Sequence, residues 1–183
     1  LEAGNYILLS AHREENIDIE DNFMSLMNAV NTMAATYDMP ILYSCHPRSQ
    51  KFIVSRKFKF DSRIIKHEPL GFFDYNKLQQ NAFCVVSDSG TLPEESAYFK
   101  FPAVSIRTST ERPEAMEKGV FTIGSITAEQ VLQAVDLAVN MHANGDDAEK
   151  VQAYSDDNVS IKIVKIIQSY TGIVNRMIWR KKE

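Results

Sequence analysis

No stretch of this 183-residue chain reads G-x-x-x-x-G-K-[S/T] or G-x-G-x-x-G. The phosphate loop of an ordinary ATPase and the dinucleotide fingerprint of an ordinary dehydrogenase are therefore both missing. Cysteine is scarce: Cys45 and Cys84 are the two present, each inside an apolar run. That reads as two buried thiols of a cytosolic protein, since a disulfide framework or thiolate metal site needs more ligands at closer spacing. The four histidines never adopt a metal-binding spacing either, and no metal or cofactor is expected. Seven glycines and six prolines are too few for a low-complexity or collagen-like chain. A basic excess is also lacking, with 20 Lys+Arg against 24 Asp+Glu. Nucleic acid is thereby disfavoured as the main partner, although a few arginines can still serve one small phosphate ligand. Residues 159–179 are the most apolar late stretch, but Lys162, Lys165, Gln168 and Arg176 interrupt them, so no membrane span is expected. No basic, then apolar, leader precedes the first strand, and a cytoplasmic location follows as the expectation. Leu1 has no Met before it and a strand begins within five residues, so the chain reads as a fragment of a longer protein.

What is present is an alternation. Short β-rich runs at 6–10, 41–45, 63–67, 83–87, 103–106 and 120–123 are separated by helical patterns. Asp18 is placed to cap a helix over 19–37, in which Phe23, Leu26, Met27, Val30, Met33, Ala34 and Tyr37 form one apolar stripe and which Pro40 stops. Further helices are expected near 50–58, 73–80 and 92–99, then a short one from Pro113 that Gly119 closes in a left-handed cap. Thr127 and Gln130 have capping-box spacing for a helix to Met141. After a polar stretch, Ile163, Ile166, Ile167, Tyr170, Ile173, Val174, Met177 and Ile178 make the stripe of a final helix. Nearly all-apolar strands alternating with helices indicate an α/β fold, a Rossmann-like parallel sheet with helices on both faces. Two parts are expected: a domain over 1–157 and a terminal helix over 158–183.

In such sheets ligands bind beyond the carboxyl ends of the strands. The residues there are His12-Arg13-Glu14-Glu15-Asn16, His46-Pro47-Arg48, Glu68-Pro69-Leu70, Asp88-Ser89-Gly90-Thr91 and Arg107 to Glu114. Almost all the unusual polar chemistry falls in these five loops. Ser89 and Gly90 precede a helix whose N-terminus favours an anion, with Thr91 and Glu94 at capping-box spacing. Glu95, one turn on, is within reach of a sugar hydroxyl; the same pattern also suits a plain capped turn with solvated acids. Arg107 and Arg112, set among small hydroxyl residues, can offer charge-assisted bonds to a diphosphate or simply form a local surface pair. His12, beside Arg13 and two carboxylates, suits a proton carrier or a donor to a diphosphate. His46 is a weaker candidate. Tyr75, with Phe72 and Phe73, begins a helix at the same rim, where a ring can stack on a base or pack in the core.

The order of these loops resembles the C-terminal half of the non-hydrolysing UDP-N-acetylglucosamine 2-epimerases. The segments that carry the likeness are Ser10-Ala11-His12-Arg13-Glu14-Glu15-Asn16, Ser44-Cys45-His46-Pro47, Ser87-Asp88-Ser89-Gly90-Thr91 with Glu94-Glu95, and Thr110-Glu111-Arg112-Pro113-Glu114-Ala115. The resemblance implies one half of a two-domain enzyme of the glycosyltransferase-B type. Such enzymes invert C2 of a UDP-linked 2-acetamido sugar by eliminating UDP and adding it back on the other face. It implies that Ser89, Gly90 and Thr91 take the phosphates, Glu95 the ribose hydroxyls, and Arg112 and His12 the diphosphate, His12 being the catalytic group. Tyr75 would lie against uracil. The implied partners are a UDP-sugar and an N-terminal domain carrying the C2 acids and bases, with the full-length protein a homodimer. The fragment alone would then be inactive, and the terminal helix would pack on this domain or on the other. Thr91 and Leu92-Pro93 depart from the usual Ser-Gly-Gly and Ile-Gln. They resemble the capsule and O-antigen branch acting on UDP-2-acetamido-2,6-dideoxy-L-talose and L-fucose. Two other readings compete: the nucleotide half of a UDP-sugar glycosyltransferase, and a non-catalytic UDP-sugar sensor.

Overall fold

Six strands form one sheet in the computed structural model, which describes residues 1–107, 112–146 and 150–181. They are β1 (Ile7–Ser10), β2 (Ile41–Ser44), β3 (Ile64–His67), β4 (Cys84–Ser87), β5 (Ala103–Ser105) and β6 (Thr122–Ile123). Every pairing is parallel, in the spatial order β3-β2-β1-β4-β5-β6. β1, β2, β4 and β5 are largely apolar and buried because both faces of the sheet's centre are covered, whereas the edge strands β3 and β6 stay partly open to water. Ile7 and Leu9 join one cluster with α2 (Glu20–Tyr37) and α7 (Ala128–Ala143), while Leu8 and Val85, pointing the other way, are equally shut off from water. Both cysteines are free and buried.

The remaining helices of this part are α1 (Glu14–Ile17), α3 (Pro47–Ser55), α4 (Phe72–Gln80), α5 (Leu92–Phe99) and α6 (Pro113–Met116). Gly119 has φ +66°, the left-handed conformation expected of the residue closing α6. Several local expectations are corrected. Asp18 does not cap α2; Ile19 holds that position, and Asp18 instead closes α1, a turn of helix not foreseen from the sequence. Its carboxylate goes to Arg48, whose hydrogen bonds hold its pKa below the usual carboxylate range. Neither capping box forms: Thr91 and Thr127 make no side-chain bond to a backbone N–H of their helices. Thr127 donates to the Gln130 side chain instead, and Thr91 to Glu95 rather than pairing with Glu94. A hydroxyl with an acceptor one turn away satisfies itself there instead of capping the first turn.

The chain divides into two units, Leu1–Val151 and Gln152–Glu183. The second holds a single 3-10 turn (Gln152–Tyr154) and α8 (Val159–Met177). By itself that unit buries none of the α8 stripe. No helix among the described residues is long and apolar enough to cross a membrane.

Candidate functional site

Strand order reverses between β1 and β4, and that is where an open parallel sheet splays its following loops apart to form a crevice. Ser10 pairs with Ser87 across this point, so the loops that begin at Ala11 and Asp88 leave the sheet side by side. The backbone entering the first loop is pinned: the Ala11 carbonyl accepts from Tyr43 Oη at 3.0 Å and from Ser49 Oγ at 2.6 Å.

Asp88 organises the crevice. Its carboxylate is fully buried, a state that needs dense compensation. It accepts from the His12 backbone N–H (2.9 Å to Oδ2, 3.1 Å to Oδ1), the Arg13 backbone N–H (2.9 Å) and Asn16 Nδ2 (3.1 Å). His12 Nδ1 lies 3.2 Å from Oδ1. Asn16 also donates to the Ile106 carbonyl at 2.9 Å, so one buried amide ties together the segments that follow β1, β4 and β5. Arg13 Nε donates to the Asp88 carbonyl at 3.0 Å, and its guanidinium crosses Gly90, where an added Cβ would stand 3.4 Å from Nη2.

Ser89, Gly90 and Thr91 form the turn into α5. Ser89 N–H is held by Ser87 Oγ at 3.0 Å, and the Ser89 and Thr91 hydroxyls are 3.1 Å apart. A narrow cleft beside this turn is lined by Ser89, Gly90, Pro93, Ser105, Arg107 and Arg112, with Phe121 at its back. Arg107 is buried and reaches toward Glu15, at 3.8 Å; Arg112 Nε donates to Glu94 Oε1 at 2.7 Å. Residues 108–111, which include Thr110 and Glu111 of the recognised motif, lie outside the described residues. A helix N-terminus with three guanidiniums at its approach can attract a multivalent anion.

Glu95 has both oxygens engaged, accepting from Thr91 Oγ1 at 2.9 Å and from Gln79 Nε2 at 2.6 Å. Tyr75, on the first turns of α4, is half-buried at the same rim. Burial, then the nearby Glu95 carboxylate, push its phenol pKa up, against the opposing effect of a hydrogen bond with Ser10. Phe72 and Phe73 stay out of the core and meet edge to face at 5.6 Å. At the ends of β2 and β3 a wider depression of about 710 Å³ is lined by Cys45, Pro47, Gln50, Lys66, His67 and Glu68. His46 is the N-cap of α3, its Nδ1 accepting from Arg48 N–H at 3.1 Å, and its ring lies 5.6 Å from that of His12.

The sequence residues thus fall into one crevice with different partners. His12, Ser89, Gly90, Thr91 and Arg112 surround the α5 N-terminus, while Glu95 and Tyr75 face it from α5 and α4. Sequence reasoning gave no separate part to Asp88, Asn16 or Arg13. The signal available for Asp88 was its place as the first residue after the central strand β4.

The family model described as UDP-N-acetylglucosamine 2-epimerase matches residues 1–168. The UDP-N-acetylglucosamine 2-epimerase of Methanocaldococcus jannaschii is 32% identical over 144 residues, covering 76% of this chain and 39% of that protein. The structure of the enzyme of that name from Rickettsia bellii superposes with a TM-score of 0.84 and 34% identity. It covers 99% of this chain and 48% of the other. The M. jannaschii UDP-GlcNAc 2-epimerase, in complex with UDP-GlcNAc and UDP, gives a TM-score of 0.80 at 28% identity, with 90% and 45% covered. This chain therefore spans less than half the length of each of these relatives. Its Rossmann-like sheet, with helices on both faces, is of the glycosyltransferase-B type. On the breadth of these matches, the chain belongs to the UDP-N-acetylglucosamine 2-epimerase family.

Proposed function

We propose that this chain is the UDP-holding half of a non-hydrolysing UDP-2-acetamido-sugar 2-epimerase. In that reaction UDP leaves C1 with loss of the C2 proton, giving a 2-acetamidoglycal, and returns with the proton delivered to the opposite face. A departing diphosphate gains charge, and preorganised N–H groups and cations that await it lower the barrier. The observation that carries the reading is the Ser89–Gly90 turn at the α5 N-terminus, approached by the guanidiniums of Arg13, Arg107 and Arg112. Ser89, Gly90 and Thr91 hold the phosphates in this reading, Arg112 the diphosphate, Glu95 the ribose hydroxyls and Tyr75 the uracil. His12 assists UDP departure as the catalytic group.

Inversion needs acid–base groups on both faces of C2. The carboxylates for it are assigned to an N-terminal domain outside this sequence, and the α8 stripe is the apolar surface by which the halves dock. A second reading of the substrate, a UDP-2-acetamido-2,6-dideoxy-hexose, is favoured by Thr91. Its side chain stands in the turn and bonds Glu95 where a glycine would leave open backbone. Calorimetric titration of the chain with UDP tests the binding role, and absence of binding refutes it. Deuterium exchange at C2 of a UDP-2-acetamido sugar tests the division of labour. The isolated chain is expected to exchange nothing, and clear C2 deuteration would place the base within this sequence.

A further inference from the structure

We propose that Asp88 is a positioning residue that sets the tautomer of His12, holding hydrogen on Nδ1 and leaving Nε2 as the atom presented to the leaving diphosphate. The inference deepens the assignment of His12 made above and rests on it for its functional meaning, though not for its geometry. A neutral imidazole has one donor and one acceptor nitrogen, and the partner of one decides the role of the other. Here a fully buried carboxylate stands 3.2 Å from Nδ1, at ion-pair distance, and when ionised it can only accept. Nε2, across a ring that is 40% exposed, has no hydrogen-bond partner among the described residues. The neutral ring can therefore only accept at Nε2, and it donates there only once it carries a second proton. Asp88 behind the ring fixes which nitrogen faces the crevice, as a buried Asp holds the imidazole orientation in a catalytic triad. His46, the other ring nearby, already spends its Nδ1 on Arg48 N–H and does not compete for Asp88.

The same geometry predicts what an amide does in place of the carboxylate. Asp88 Oδ2 faces three donors, the His12 and Arg13 backbone N–H groups and Asn16 Nδ2, whereas Oδ1 faces the imidazole and one longer contact at 3.1 Å from the His12 N–H, which already bonds Oδ2. An Asn there must put its single oxygen in that position and turn its NH2 toward His12. Nδ1 must then accept, and the proton moves to Nε2. Long-range 15N–1H correlation of the histidine rings at alkaline pH reads this directly, with His12 assigned by comparison with His12→Gln. The native chain is expected to show His12 protonated on Nδ1, the tautomer that free imidazole side chains disfavour. In Asp88→Asn the pattern should invert. Native protonation on Nε2 overturns the proposal, as does a folded Asp88→Asn chain whose tautomer is unchanged. If that variant does not fold, the native spectrum alone decides. A separate titration with UDP tests the underlying reading: His12 Nε2 should shift on binding. Bound UDP that leaves Nε2 unmoved would overturn the catalytic assignment while the Asp88–His12 pairing stood.

Discussion

Glu95 is the residue for which two roles make opposite predictions. As a ribose ligand it contributes charge-assisted bonds, and its loss should weaken UDP by about 1.5–3 kcal/mol, roughly 10- to 150-fold. As a structural tie it joins α4 to α5, because Gln79, 1% exposed, donates Nε2 to it at 2.6 Å. Glu95→Ala orphans that buried amide at a cost of about 1–3 kcal/mol. In a unit of this size each kcal/mol lowers Tm by roughly 2–4 °C, so a fall of about 2–12 °C is expected. Glu95→Gln separates the two roles. Its amide oxygen still accepts from Gln79, and its NH2 can donate to the Thr91 hydroxyl, which here donates to Glu95 Oε1. Tm should therefore stay near that of the native chain while the charge, and with it most of the ribose interaction, is gone. Calorimetry with UDP and with uracil, alongside thermal melts, reads both quantities. Native UDP affinity in a folded Glu95→Gln chain would refute ribose chelation and leave Glu95 as a tie between helices.

Arg112→Ala should weaken UDP more than uridine, because its assigned partner is the diphosphate; equal losses in paired titrations would make its bond to Glu94 a matter of fold alone. Gly124→Ala should destabilise the first unit by about 1–3 kcal/mol without touching UDP affinity. The added Cβ would stand 2.8 Å from Val104 Cγ1 and 3.1 Å from Ala134 Cβ, and an unchanged denaturation midpoint would show that α7 can shift away from the sheet. Neither cysteine should react quickly with a thiol reagent at pH 8 in the native state. Burial raises both pKa values, for Cys45 against the opposing pull of Lys66 and Tyr43, so little thiolate forms at pH 8. Fast native labelling of Cys84 would mean that the centre of the sheet opens.

Among the described residues periodicity located the six strands and the helices other than α1, because a sheet covered at its centre leaves apolar runs that helices interrupt. Local chemistry was less legible. The capping boxes at Thr91 and Thr127 have the right spacing, yet each hydroxyl finds a side-chain acceptor within a turn. Spacing cannot rank those competing acceptors. Asp18 shows the same limit at longer range: a residue well placed to cap α2 is drawn away by Arg48, 30 positions later. The site loops were identifiable from topology, but not the partners inside them. His12 and Asp88 are 76 residues apart, and only the adjacency of β1 and β4 brings them together.

In the proposed reading, that adjacency also explains how a chain with no glycine-rich phosphate loop can still shape an anion site. A glycine-rich loop brings several backbone N–H groups to one phosphate by itself. Here the backbone N–H groups of His12 and Arg13 are spent on Asp88, and the Arg13 guanidinium is carried across Gly90 as a result. The buried carboxylate thus converts main-chain donors into the placement of one cation and one imidazole. A negative charge beneath the crevice would by itself repel a diphosphate. It is tolerable because it is enclosed by donors, and because Arg107 and Arg112 line the cleft alongside. The site is therefore made by the switch point of the sheet rather than by any one loop. Substitutions at Asp88 and Asn16, which need touch no ligand, should disturb it as much as changes at Ser89 or Gly90.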